Sequence, residues 1–320
     1  MSRGRTIAVT LGDPRGIGPE VTFRAAGMLL DEAPDADLAF FGPEGMELPG
    51  EFRGTVPYHG VGPWDGTEEG AGRVSVDAIR QATSAALDGE IGAVVTAPVH
   101  KPALHAAGYP VPGQTELLQD LTGSAEVGML MVAERTRSGG ALRVLLATTH
   151  IALEDVPDRV TQRLLVDQTA LLDRALRTGW EIENPRIGVC ALNPHASDRG
   201  LFGDQEDRVY RPALDALRDS GVLVVGPVPA DTVFRRALDG EFDAVVAPYH
   251  DVGMAAFKTV SFGGGVNTTL GLPFPRTSPD HGTAFDLAGS GRADPSSMLE
   301  ALRLARRLAG RRFDTPQREA

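Results

Sequence analysis

The stretch Thr6–Glu20, TIAVTLGDPRGIGPE, decides the fold class. Its first half, Ile7–Leu11, is an apolar, partly β-branched run of strand length. Gly12-Asp13-Pro14 breaks that run, and Pro19 suits the first turn of a helix, where its missing N–H costs nothing. A strand that passes through a short turn straight into a helix is half of a parallel β-α-β unit. The same alternation continues outward along the chain. Strand-like runs recur at Leu38–Phe41, Ala93–Thr96, Leu142–Thr148, Arg186–Ala191, Val222–Val225 and Ala244–Ala247, with helical patterns between them. This predicts an α/β protein.

The helical segments carry their own punctuation. Ser75–Leu87 is expected to be capped by its serine and to stop at Asp88-Gly89. In Asp158–Leu176, Val160, Leu164, Leu165, Leu171, Leu172, Ala175 and Leu176 recur at helical spacing, and Gly179 follows. Asp294–Leu308 opens with Asp-Pro. Gly60–Gly72 and Arg135–Gly140 read as surface loops, and the FDTPQREA tail after Arg312 as frayed. A chain of 320 residues is long enough for two lobes. The expected division is 1–113 with 263–320 as lobe 1 and 114–262 as lobe 2, the chain crossing between them twice.

Composition narrows the partners. The formal net charge of −12 makes nucleic acid or an anionic membrane a poor match. The longest apolar run, Val127–Ala133, is too short to span a bilayer. The start, MSRGRTIAVTLGD, has no signal-peptide architecture, so a cytoplasmic location is expected. Cys190 is the single cysteine, which excludes an intramolecular disulfide and fits a reducing compartment. Its apolar neighbours read as burial rather than reactivity. No G-x-G-x-x-G follows a strand, and there is no P-loop, H-E-x-x-H or C-x-x-C.

Chemistry-bearing residues gather just past strand ends, where ligand sites of open α/β sheets lie. His150 (ATTH), His195 (LNPH) and His250 (APYH) are three imidazoles so placed, 45 and then 55 residues apart. They can hold one divalent metal, or they are three unrelated loop histidines. Tyr249–Arg276 is dense in polar groups: Asp251 follows a histidine, and Lys258, Asn267 and Arg276 are anion binders around Gly263-Gly264-Gly265. That density favours a phosphate or carboxylate pocket over surface decoration. Gly12–Glu20 is either an anion-facing helix start or a structural turn. Gly113-Gln114-Thr115-Glu116 opens a further helix and offers the same choice.

His281–Gly289, HGTAFDLAG, resembles the adenosine-binding loop of isopropylmalate and isocitrate dehydrogenases, which bind NAD(P) without the Rossmann glycines. TLGDPRGIGPE, TAPVHK, GQTE, TTH, ALNPHA, GPVPADT, YHD, GVNTTLGLPFPRTSPDHGTA and ADPSSM follow in the order found in the 4-hydroxythreonine-4-phosphate dehydrogenase family. The resemblance covers about residues 6–308. It implies a two-lobed α/β/α isopropylmalate-dehydrogenase-like fold with the active site in the interlobe cleft. It also implies a homodimer, one metal ligand arriving from the partner chain.

By that resemblance His150, His195 and His250 are the metal ligands, for zinc first and magnesium or cobalt as alternatives. Gln114, Thr115, Lys258, Asn267 and Arg276 contact substrate. Lys258, Asp251 and Asp231 serve catalysis, and His281, Gly282, Thr283, Ala284 and Asp286 hold NAD. The implied reaction oxidises 4-phosphooxy-L-threonine (4-hydroxythreonine 4-phosphate) to a 3-keto acid. Loss of CO₂ then gives 3-amino-2-oxopropyl phosphate, on the route to pyridoxal phosphate. Two positions depart from the family: Gln114 stands where histidine is usual, and Val252 where glutamine is. Alternatives are dehydrogenation of 4-phosphothreonate or 4-phosphoerythronate, oxidation of an aromatic dihydrodiol, acyl transfer as in phosphate acetyltransferases, and a non-enzymatic binding role. The phosphate-binding trio counts against the dihydrodiol.

Overall fold

A computed structural model describes residues 4–311 except position 262; the FDTPQREA tail lies outside the described residues. The chain begins with β1 (Ile7–Thr10), α1 (Gly18–Glu32), β2 (Leu38–Gly42), β3 (Tyr58–Gly60), α2 (Glu68–Leu87), β4 (Ala93–Thr96), α3 (Lys101–Ala106) and α4 (Gln114–Thr122). It continues through β5 (Gly128–Ala133), β6 (Leu142–Leu146), α5 (Val156–Arg159), α6 (Gln162–Thr178) and β7 (Arg186–Cys190). Next come α7 (Arg211–Asp219), β8 (Leu223–Val228), α8 (Ala230–Leu238), β9 (Ala244–Ala247), α9 (His250–Ser261) and β10 (Val266–Leu270). It closes with β11 (Arg276–Pro279) and α10 (Ser296–Leu308). Two compact units result: Met1–Val127 with Gly271–Ala320, and Gly128–Leu270. The edges lie at different positions from those read in the sequence. α4 packs on α2, so it stays with the first unit, and β10 pairs with β5, so it stays with the second.

In the first unit the strands run β3-β2-β1-β4-β11, all parallel. Such strands are covered on both faces and read as unbroken apolar runs, as in the fully buried Ile7–Thr10 and Ala93–Thr96. Ile79, Leu104, Leu118 and Phe274 fill the core beside them. In the second unit the order is β10-β5-β6-β9-β7-β8. There β5 is antiparallel to both neighbours, and β6, β9, β7 and β8 are mutually parallel. The apolar run that ends at Ala133 is β5, an interior strand. Among the described residues no helix is long and apolar enough to cross a membrane.

Two helices differ from their sequence reading. α2 starts at Glu68 rather than Ser75, because Thr67 is the cap: its hydroxyl accepts from the Gly70 amide at 2.9 Å. Ser75 lies inside the helix and donates to the Ala71 carbonyl at 2.7 Å. Gly70 and Gly72 gave this turn the look of a loop. Gly72 is instead a packing residue, since a Cβ there would lie 1.9 Å from the Ala103 carbonyl oxygen of α3. The long helix expected over Asp158–Leu176 breaks after Arg159, and α6 starts afresh under a Thr161 cap that accepts from the Leu164 amide at 3.1 Å. Asp294 keeps its expected role at α10, its carboxylate accepting from the Ser296 amide at 3.0 Å.

Candidate active site

Parallel pairing explains where the histidines stand. β6, β9 and β7 are neighbours in register, Leu146 opposite Ala247 and Val189 opposite Val246. Their following loops therefore leave from one edge of the unit. His150 lies just past β6, His195 just past β7, and His250 opens α9 after β9. The first and third are drawn together because the β6 exit stays bound to the β9 exit. The Ala147 amide donates to the Ala247 carbonyl at 2.9 Å, and the Thr148 hydroxyl to the Pro248 carbonyl at 2.8 Å. The His150 and His250 rings end 5.6 Å apart between centroids. His250 Nδ1 pairs with the Asp251 carboxylate at 2.7 Å. A carboxylate on one ring nitrogen orients the imidazole and leaves Nε2 for a ligand. Gly253 lets α9 approach: a Cβ there would meet Leu146 Cδ2 at 2.5 Å.

His150, Tyr249, His250 and Asp251 line a hollow of about 240 Å³. His195 lines a second of about 280 Å³ with Asn193, Asp231, Tyr249 and Val252. Tyr249 is the wall common to both. Among the described residues no three His, Cys, Asp or Glu side chains are grouped to hold an ion. His195 also begins an unusual backbone run. Residues 195 to 199 have φ of 54°, 52°, 62°, 43° and 59°, left-handed values at five consecutive non-glycine positions. Each costs about 1–2 kcal/mol, so the loop exists because its surroundings impose it.

Arg276, at the start of β11, has the opposite environment. It is 2% exposed, and its Nη2 donates to the Thr96 hydroxyl of β4 at 2.6 Å. Burial pulls the guanidinium down to about 10, while the Glu116 charge acts the other way, so it remains a cation at neutral pH. Gln114 opens α4 and donates from Nε2 to the Ala97 carbonyl at 3.2 Å, while its buried Oε1 has no hydrogen-bond partner among the described residues. Thr115 follows, half-buried. Asn267, in the second unit, has a buried Oδ1 that also lacks a partner among the described residues. Lys258 is exposed on α9. Seven residues after Asp251, it shares that face of the helix about 10 Å along the axis. Asp231, exposed in the first turn of α8, belongs with His195.

The HGTAFDLAG loop is anchored on the Gly12–Glu20 turn. The Ile17 amide donates to the Thr283 carbonyl at 2.9 Å, and the Gly289 amide to the Glu20 carboxylate at 3.1 Å. Arg15 lies 5.2 Å from the Phe285 ring centroid, and His100 meets that ring edge-on at 5.0 Å. Arg15 is itself forked onto the fully buried Asp13 at 2.8 and 3.0 Å. The turn therefore spends its charge and an amide on holding the loop, a structural use. Asp286 is exposed and makes no hydrogen bond or ion pair among the described residues. His281 Nδ1 faces the Gly282 carbonyl at 3.1 Å, and its buried Nε2 has no partner among the described residues.

The profile of the pyridoxal phosphate biosynthetic protein PdxA matches residues 54–305. The chain belongs to the PdxA family. It is 42% identical to a 4-hydroxythreonine-4-phosphate dehydrogenase of Chromobacterium violaceum, over 97% of this chain and 98% of that protein. It is 36% identical to a D-threonate 4-phosphate dehydrogenase of Pectobacterium atrosepticum, over 95% and 99%. Among solved structures, a 4-hydroxythreonine-4-phosphate dehydrogenase from Klebsiella pneumoniae superposes with a TM-score of 0.81 at 38% identity, covering 95% of this chain and 98% of that one.

In this PdxA-family chain the structure joins His150, His250 and Asp251 in one hollow, and His195 and Asp231 in the next. It joins Gln114 with the Ala97 carbonyl of the segment after β4, and Arg276 with Thr96 on β4 itself. Thr96 and Tyr249 escape a sequence reading. Thr96 had a visible signal, a hydroxyl at the end of an otherwise apolar strand.

Proposed function

We propose that the chain is a metal-assisted, NAD-linked dehydrogenase that oxidises 4-hydroxythreonine 4-phosphate to a 3-keto acid prone to lose CO₂. It would act as a cytoplasmic homodimer in pyridoxal phosphate synthesis. The observation that carries this reading is the emergence of His150, His195 and His250 from three neighbouring parallel strands, two of the rings 5.6 Å apart. The donor set suits a divalent ion such as zinc: neutral imidazoles, one already oriented by a carboxylate. The third imidazole lies in a separate hollow, and a partner chain would complete the set. Bound there, such an ion supplies Lewis acidity that makes a coordinated hydroxyl easier to deprotonate.

The chain's own residues would then divide the work. Arg276 binds phosphate as a charge already desolvated and held by Thr96, with Asn267 and Lys258 as further donors. Gln114 and Thr115 orient the substrate. Lys258, or Asp251 through water, takes the hydroxyl proton, and Asp231 lies beside His195. His281, Gly282, Thr283 and Ala284 form the nucleotide loop, and the unpaired Asp286 accepts from the ribose hydroxyls.

A second reading, 4-phosphothreonate as substrate, is favoured by Gln114, which hydrogen-bonds but cannot carry a proton's charge. The test measures metal content and NAD reduction by the purified protein with both compounds. Faster turnover of 4-hydroxythreonine 4-phosphate is expected. Faster turnover of 4-phosphothreonate overturns the substrate, and no reduction with either overturns the class.

A further inference from the structure

Five consecutive left-handed residues, 195 to 199, follow directly on a short stretch, Leu192–Asn193, that a buried carboxylate holds. Glu206 is 2% exposed, yet its carboxylate is not wasted in the interior. Oε1 accepts from the Leu192 amide at 3.0 Å and the Asn193 amide at 2.7 Å. Oε2 accepts from the Asn193 side-chain amide at 2.8 Å. The same Asn193 nitrogen donates to Gln205 Oε1 at 2.8 Å. These bonds grip the chain between the end of β7 and Pro194, whose ring fixes the next φ. Upstream, the Ala191 amide is tied to the Val228 carbonyl at 2.8 Å. From Ala191 to Pro194 the backbone therefore has little freedom, and His195 is the next residue.

We propose that Glu206 is a positioning residue, whose buried carboxylate imposes the left-handed segment that aims His195 into its hollow. Nothing in its bonding requires it to touch substrate or metal. It acts through Asn193 and the loop, and its consequence for metal binding rests on the histidine site proposed above. A carboxylate is the right group because it accepts only, and three donors converge on it. Glutamine keeps the shape but offers an NH₂ that competes with one of those donors.

The test uses the full-length protein and Glu206→Gln, Glu206→Ala and, as a comparator, Leu172→Ala in the buried face of α6. Zinc affinity is measured by competition with a graded chelator, melting temperature by calorimetry, and amide exchange peptide by peptide. Both Glu206 variants should lose about 10–100-fold in zinc affinity, the range typical of residues that orient metal ligands. Exchange over 192–199 should quicken while Arg186–Cys190 stays protected. Leu172→Ala should lower the melting temperature and leave zinc affinity unchanged. Unchanged zinc affinity in Glu206→Gln, or a loss no larger than in a comparator of equal melting temperature, overturns the proposal. If the wild type binds no zinc, the metal site fails by itself. Exchange over 192–199 then decides, and an unchanged rate there overturns the role of Glu206.

Discussion

Arg276 is 2% exposed and bonded to Thr96, whereas His150 and His195 stand exposed on loops and His250 is half-exposed at a helix start. The first arrangement is finished by strand packing: β11 lies parallel to β4 and delivers a guanidinium to a hydroxyl on the adjacent strand. The second is left at the surface. Two imidazoles approach each other, the third lies in its own hollow, and the described residues hold no complete ligand set. On the function proposed above, Arg276 is an anion-binding charge built into the core in advance. On that same proposed function, the histidines are ligands left on the outside, where an ion or another surface would reach them.

The comparison breaks most visibly at the histidines. His195→Ala should abolish metal retention and lower kcat/KM by about a thousandfold or more, since Lewis-acid assistance is worth several kcal/mol. Because His195 is exposed, its melting temperature should barely move. Stoichiometric metal in that variant, measured by elemental analysis, removes His195 from the ligand set.

At the other end the pattern should reverse, with stability and binding falling together. Arg276→Ala removes a charge-assisted contact worth on the order of 1.5–3 kcal/mol, seen as a raised KM. It also strands the Thr96 hydroxyl in a cavity, so the melting temperature should fall. A dephosphorylated substrate should be penalised in the wild type and little further in the variant. Equal penalties in both enzymes would place the phosphate elsewhere.

The same contrast explains what the sequence revealed. β1, β4, β7 and β9 were legible because parallel, doubly covered strands must be apolar throughout. The placement of the three histidines just past strand ends was legible too. The break at Val160 was not, because a β-branched residue at helical spacing looks like helix until Thr161 is seen capping a second helix of its own. Glu206 was illegible for a deeper reason. Its burial depends on the loop it holds, and no local pattern records that.

A smaller effect concerns the dinucleotide. The Asp286 carboxylate is exposed and unpaired among the described residues, so it is available to a ribose 2′-hydroxyl and repels a 2′-phosphate. NAD should be preferred over NADP by about tenfold, roughly 1.4 kcal/mol in kcat/KM. Asp286→Lys should narrow or invert that ratio with metal content unchanged. Equal kcat/KM values for both cofactors, before and after substitution, would leave Asp286 without this role.

The smallest effect probes the cost of the histidine loop itself. Arg199 is exposed, has φ 59° and ψ 34°, and its side chain makes no hydrogen bond or ion pair among the described residues. That side chain therefore adds no polar contact to the fold, while its Cβ carries the left-handed penalty of about 1–2 kcal/mol. Glycine removes that penalty but gives the unfolded chain extra freedom, which offsets about 0.5–1 kcal/mol. Arg199→Gly should thus stabilise the protein by about 0.5–1 kcal/mol, read from the denaturant midpoint at constant slope. Arg199→Ala is the control, since alanine keeps the Cβ and should change little. If both variants behave alike, the left-handed run carries no strain at this position. If glycine alone stabilises, the loop is held against a real cost, as the grip of Glu206 on Leu192 and Asn193 implies.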